Sequence, residues 1–436
     1  MNYLSSILFA ILLLAGFGLF IKNIKTIVRN IKLGQNINRS DNSSERWKNM
    51  ALIALGQSKM VKRPIAGILH IFVYVGFVLI NIELLEIIID GLFGTHRAFS
   101  GLGTAYVCLI ASFEILAFLV VVAVIIFWIR RNIIQLKRFI SADLKGWPKA
   151  DANYILYFEI ILMSLFFLMN ASDVFQQIKT PAAFPISHFI APLFTNMNPE
   201  TVEILEKTFW WLHITGILIF MNYLYYSKHL HILLAFPNTY YADLNAKGKI
   251  DNLESVTKEV KLMMDPNADP FANQPADEQG IPSKFGASDV QDLNWVQLLN
   301  AYTCTECGRC TSSCPANQTG KKLSPRKIMM DTRDRLVEVG SNIDANKGVF
   351  VPDSKSLLHD YITTEELWAC TSCNACVEEC PVNISPLSII MDMRRYLVME
   401  QSAAPQPLNA MMTNIENNGA PWPYNQMDRL NWKNEQ

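Results

Sequence analysis

TCTECGRCTSSCPA (303–316) and ACTSCNACVEECPV (369–382) share the form C-x2-C-x2-C-x3-C-P. Between them they hold eight of the nine cysteines. Three cysteines at this spacing wrap a loop around one face of an iron–sulfur cubane, whose iron is held by soft, covalent thiolate bonds. The fourth cysteine is expected to open a helix pointing away, with the proline directing the chain. In two-cluster ferredoxins that fourth cysteine ligates the other cluster. The expected sets are therefore Cys304, Cys307, Cys310 and Cys380 for one [4Fe–4S] cluster, and Cys370, Cys373, Cys376 and Cys314 for the other. Zinc is the competing reading, but zinc sites usually use two cysteine pairs rather than two sets of four ending in Cys-Pro. The connection of roughly 55 residues carries helical patterning at 325–338 and 355–369, which predicts a mostly helical two-cluster domain over 295–400.

The rest of the chain has a different composition. Of 436 residues, half are apolar and 18% are charged, against about 25% charged in a soluble domain. Disorder is excluded by the apolar content, and a net charge of −1 removes any electrostatic case for nucleic acid. Five apolar stretches are long enough to span a bilayer: approximately 4–21, 64–89, 105–129, 154–176 and 208–228. The first has no preceding Lys or Arg and no clear cleavage site, so it reads as an uncleaved span with its N-terminus outside. Segment 22–63 holds ten Lys/Arg residues and 129–153 holds six, whereas 90–104 holds only Arg97 and 177–206 only Lys179. The basic loops are expected inside, which places the cysteine runs in the cytoplasm and the protein in the inner (cytoplasmic) membrane. FPISHFIAPLF (184–194) is too short to span and is expected to lie at the outer interface. The ninth cysteine, Cys108, is expected to be a packing residue.

Ionisable groups within spans point to function. His70 lies in the inner third of span two, His213 near the outer end of span five, and His229 and His231 at its inner end. On one continuous helix, 18 residues are five whole turns, so His213 and His231 should face one way and His229 the other. His70 and His231 share a depth, and neutral imidazoles at one level suit the axial positions of a haem b. The alternative for these histidines, and the leading one for His229, is interfacial anchoring. Glu83, Glu86, Glu114, Asp173 and His213 are candidates for a quinone site, since an outer polar group can bind and deprotonate a quinol; ordinary interfacial polarity competes with that reading. A second haem would need His96 or His188 from a loop. No Gly-rich nucleotide loop and no nucleophile–base pair competes with these readings.

At this point the chain resembles known assemblies. The five spans look like the membrane cytochrome b subunit of respiratory nitrate reductase and heterodisulfide reductase. There, histidines on spans two and five ligate haem b, with two on span five 18 residues apart, as His213 and His231 are. The usual second histidine on span two is missing, which favours one haem over two. SKHLHILLAFPN (227–238) looks like the end of this module in its iron–sulfur fusions. Residues 295–400 resemble the helical two-cluster ferredoxin of heterodisulfide reductase and glycolate oxidase iron–sulfur subunits, and NIENNGAPWPYNQMDRLNW (414–432) is similar to the segment that follows it. Relatives usually continue into a domain with paired CCG motifs. No Cys-Cys pair occurs here, so the resemblance implies a separate CCG-domain partner. Some fused relatives link electron-transferring flavoprotein to menaquinone.

These readings give a mostly α protein: a five-transmembrane-helix bundle of cytochrome b type over 1–236, a linker over 237–294 with a helical part at 240–264 and an irregular stretch at 265–292, the helical dicluster ferredoxin domain over 295–400, and an irregular partner-binding tail over 401–436 that carries Trp422, Tyr424, Arg429 and Trp432. The expected function is a membrane electron-transfer subunit, part of a quinone-linked oxidoreductase rather than an enzyme alone. It passes electrons between menaquinone or another quinone and a cytoplasmic CCG-domain or flavoprotein partner through haem b and two [4Fe–4S] clusters. The alternatives are an iron–sulfur redox sensor and a membrane anchor without haem or quinone turnover.

Overall fold

A computed structural model describes residues 3–266 and 284–435. Of the expected irregular stretch at 265–292, residues 267–283 lie outside the described residues. Five helices are long and apolar enough to cross a membrane: α1 (Tyr3–Ile31), α2 (Pro64–Phe93), α3 (Thr104–Asn132), α4 (Trp147–Ser172) and α5 (Pro199–Tyr223, prolonged by a 3-10 turn to Tyr226). No strand occurs among the described residues.

Prolines start three of these helices, at positions where their missing N–H costs nothing. Asn198 caps α5 by accepting from the Glu200 amide. Consecutive helices pack against one another, and α5 returns to α1, closing a five-membered ring. Small residues let the backbones approach. A Cβ on Gly91 would stand 2.4 Å from the Phe9 ring, and one on Gly76 would stand 2.5 Å from Val120 Cγ2. The outward faces stay apolar, as at Leu14, Phe77 and Ile125.

α1 runs ten residues beyond the expected end of the first span. Its extension carries Ile27, Asn30 and Ile31 out of the bundle and into the core of the C-terminal domain. There Asn30 donates to the Tyr302 hydroxyl at 2.8 Å, and Arg29 pairs with Asp344. The C-terminal domain sits on the end of the bundle formed by the basic loops. Arg326 bonds Asp143 at 2.8 Å and the Arg138 carbonyl at 2.7 Å, Arg63 bonds Glu379 at 2.9 Å, and Gln35 pairs its backbone with Leu293 and Trp295. α6 (His231–Tyr240) runs through the boundary expected at 236; its Asn238 is buried and donates to the Val382 carbonyl at 2.7 Å.

Within that domain, α7 (Trp295–Thr303) packs against α8 (Pro325–Ala345), and α8 against α9 (Pro386–Met399). Arg335 on α8 is fully buried and holds Asp289 and Asp353 at 2.8 and 2.6 Å. Breaking such a pair leaves buried charge uncompensated and costs about 3 kcal/mol or more. Arg335→Ala is therefore expected to lower the unfolding midpoint of the full chain, whereas Arg333→Lys, at a less enclosed site, is expected to shift it far less; equal midpoints for both would contradict this.

Two expectations need correction. The tail is not irregular: α10 (Gln406–Asn418) is a 13-residue helix, followed by 3-10 turns over Gln426–Lys433. No residue of either is buried, so helix propensity and local caps shape them without the core periodicity a sequence reading looks for. Cys108 is exposed on α3 rather than packed inside.

Candidate functional site

Both cysteine runs fold in the same way because both place left-handed residues at matching steps. Glu306 and Ser372 follow the first cysteine by two residues, and Gly308 and Asn374 by four; all four have positive φ. Gly308 (φ +71) lies where a Cβ would stand 2.6 Å from the Arg326 guanidinium, so glycine is needed twice over. The resulting curl carries each middle cysteine round the loop.

Cys304, Cys307, Cys310, Cys380 and Cys376 line one cavity. In the other group, Cys376 feels the charges of Cys370, Cys314 and Cys373. The fourth cysteine of each run thus lies with the first three of the other. Only one of the two opens a helix: Cys314 caps the short turn Pro315–Gln318, whereas Cys380 is followed by a turn, with the next helix starting at Pro386. That corrects the expectation of a helix at both.

The site fits clusters. Burial pushes the Cys304 and Cys376 thiols up to about 12 and Cys380 to about 11, so bare thiolates are unfavourable there without the positive charge of iron. Among the described residues, no three His, Cys, Asp or Glu side chains gather closely enough for a single metal ion. A lone zinc draws sulfurs to about 2.3 Å from one centre; a cubane spreads them around a larger body. Backbone amides already point at sulfur: Ile384 N donates to Cys380 Sγ at 3.2 Å and Ser372 N to Cys370 Sγ at 3.4 Å.

The first group faces the bundle. Arg309 is buried and donates to the Lys59 and Met60 carbonyls, both at 3.1 Å, just before α2. Lys59 donates to the Cys380 carbonyl at 3.4 Å, and burial lowers its pKa. Beyond them stand the histidines. The His70 and His231 ring centres are 6.4 Å apart. Imidazoles bound on opposite sides of one metal, at about 2.0–2.1 Å with each ring centre roughly 1.1 Å behind its nitrogen, would stand about 6.3 Å apart. His231 Nδ1 lies 3.2 Å from the Lys228 carbonyl, which frees Nε2, and His70 Nδ1 is buried without a hydrogen-bond partner. His70 and His231 are the residues that would hold a haem iron here.

The helical-phase argument for His229 fails. α5 does not continue to residue 231: it tightens into 3-10 turns and breaks at Ser227, which is extended (φ −113, ψ 145). His229 therefore turns toward His231, with ring centres 5.4 Å apart, and its Nε2 lies 4.0 Å from Glu159. It belongs to the histidine cluster rather than to an interface. Burial keeps these imidazoles neutral, pushing His229 down to about 3 and His231 to about 4.

The remaining candidates lie further along the bundle. His213 is buried, with Nδ1 3.0 Å from the Leu162 carbonyl. At the end away from the C-terminal domain, Arg97 folds back into the helices. It donates to Asn170 at 2.6 Å and Asp173 at 3.3 Å, and approaches Glu83 at 3.5 Å. Burial opposes its charge, but the surrounding acids hold its pKa above the usual value. Glu86 accepts from the Phe99 amide at 2.8 Å. Glu114 is fully engaged, by the Ile186 and Ser187 amides, the Ser187 hydroxyl and Asn170. It anchors the 184–194 segment, whose Phe189 and Leu193 are exposed. His96 pairs with Asp173 at 3.4 Å, and His188 is exposed. Sequence reasoning missed Arg97, counted only as a loop charge, and Glu159, although a carboxylate inside an apolar span is itself a signal.

The 4Fe-4S dicluster domain family matches residues 303–384. The chain is 30% identical, over 99% of its length and 61% of the relative's, to a probable iron-sulfur-binding oxidoreductase FadF of Bacillus subtilis. It is 26% identical, over 92% of its length and 55% of the relative's, to an EtfAB:quinone oxidoreductase of Syntrophomonas wolfei. Over 34% of its length and 24% of the relative's, it is 34% identical to a probable membrane-anchored ferredoxin of Chromohalobacter salexigens. The chain spans little more than half the length of the first two. No solved structure matches it.

Proposed function

From a chain that is a relative of the iron–sulfur oxidoreductases and carries a 4Fe-4S dicluster domain, we propose a membrane-bound electron relay between menaquinone, or another quinone, and a cytoplasmic redox partner. The carrying observation is continuity. The His70–His231 pair, buried Arg309 and the Cys304 group follow one another from the bundle into the C-terminal domain.

In this reading His70 and His231 hold one haem b, and the two cysteine groups hold two [4Fe–4S] clusters. These groups supply one-electron chemistry, which separates the two electrons of a quinol. The chain's part is positioning. Arg309 ties the first cysteine loop to the turn before α2, and Arg394 ties the second to α9 by donating to the Leu367 carbonyl at 2.7 Å. We keep as proposed domain limits 1–236, 237–294, 295–400 and 401–436. The C-terminal domain meets the basic loops, and Lys/Arg-rich loops favour the cytoplasmic side; the proposed site is the inner membrane. The partner is a CCG-domain iron–sulfur subunit or an electron-transferring flavoprotein. The exposed Trp422, Tyr424 and Trp432 of the tail suit its docking, since aromatic anchors dominate interfaces.

The test is anaerobic addition of menaquinol to the purified chain in lipid vesicles. Bleaching of the cluster absorbance is expected, with a rate that falls at least tenfold in His70→Ala. Clusters that stay oxidised although dithionite reduces them would contradict the relay and favour a redox sensor.

A further inference from the structure

We propose that the cavity enclosed by α2, α3, α4 and α5 binds the quinone headgroup, and that Glu83 and His213 are the two groups that exchange its protons. The proposal rests on the quinone-linked reading above and gives it a place. The cavity is about 100 Å³. Its wall is largely apolar, with Asn81, Glu83, Glu159 and His213 as the polar side chains.

Two of these are set up for a quinol. His213 Nδ1 is committed to the Leu162 carbonyl at 3.0 Å, so Nδ1 carries the hydrogen and Nε2 is left as the acceptor. Glu83 is 2% exposed; one oxygen lies 3.5 Å from Arg97, and Oε2 is buried with no hydrogen-bond partner. A buried carboxylate oxygen without a donor is a place for one. The α2 residues that line the cavity with His213, among them Ile80 and Leu84, offer no second imidazole to share a metal with it.

The surroundings supply the three routes a quinol site needs. Phe77, on the wall, is 45% exposed on the outward face of the bundle, the side from which an apolar tail would enter. Glu83 also lines a second, polar cavity with Glu86, Asp90, His96 and Arg97, which gives protons a way to the far end. On the other side, the cavity residues Glu159 and Phe220 both meet His229, at 4.0 Å and at 5.5 Å between ring centres. His229 in turn adjoins His231.

The step balances. Oxidation breaks both O–H bonds of the quinol. One proton passes to His213 Nε2 and one to Glu83 Oε2, a quinone remains, and the two electrons would leave singly to the one-electron groups that His70, His231 and the cysteine sets would hold. Reduction runs the same transfers backwards.

The test uses the full chain with its cofactors in lipid nanodiscs, titrated with a hydroxyquinoline N-oxide, a quinol analogue whose fluorescence is quenched on binding. Glu83→Gln and His213→Gln are each expected to weaken binding at least tenfold, with iron content and haem spectrum unchanged. Ile80→Phe, which fills the cavity from an apolar position, should do the same and serves if a polar variant fails to fold. Binding unchanged in all three variants would overturn the site while leaving the quinone reading intact. No binding to the unaltered chain would overturn both. Loss of haem from His213→Gln would assign the cavity to a haem instead.

Discussion

His70→Ala and His231→Ala are each expected to abolish the haem b absorbance of the purified chain, while His229→Ala and His213→Ala retain it. The expectation follows from geometry. The His70 and His231 rings stand 6.4 Å apart, matching two imidazoles on opposite sides of one iron. His229 is closer to His231, but the two are separated by one residue in a tight turn, and their ring planes are 78° apart. Removing either axial ligand of a two-histidine haem leaves one bond where two are needed. Cluster iron should be unaffected, since the cysteine groups lie in a separate domain. Haem retained in both His70→Ala and His231→Ala would show that the pair is not the ligand set.

The second large effect concerns the exchange of fourth cysteines. Cys380→Ala is expected to remove the same cluster signal in electron paramagnetic resonance as Cys304→Ala. Cys314→Ala should remove the same one as Cys370→Ala. Each variant should drop from about eight irons to about four. The grounds are that Cys380 lines the Cys304 cavity, and that Cys314 acts on Cys370 and Cys376. Signals lost within each run, Cys314 with Cys304, would contradict the pairing.

The parts legible in the sequence were those with a fixed spacing or a long period. Two cysteine runs of identical form specify matching loops, because the left-handed positions at Glu306 and Gly308 recur at Ser372 and Asn374. Five apolar stretches specify five helices, and the shared level of His70 and His231 was readable from depth alone. What was not legible depends on breaks and on partners distant in sequence. The phase argument for His229 assumed one helix from His213 to His231, and nothing in SKHLH announces the extended Ser227 that resets the direction. The acids were counted as quinone candidates by type. Only the structure separates Glu114, spent on four donors around Ser187, from Glu83, which keeps an oxygen free. Arg97 looked like a lone loop charge because its partners, Glu83, Asn170 and Asp173, come from two other helices. The tail helix Gln406–Asn418 has no buried face, so no apolar period marks it.

The most direct test is the cofactor content of the detergent-purified chain: an iron count and a haem b assay with reduced-minus-oxidised visible spectra. The relay predicts about eight irons and about one haem b per chain. Eight irons without haem would contradict the assignment of His70 and His231, and would leave a dicluster ferredoxin on a membrane anchor.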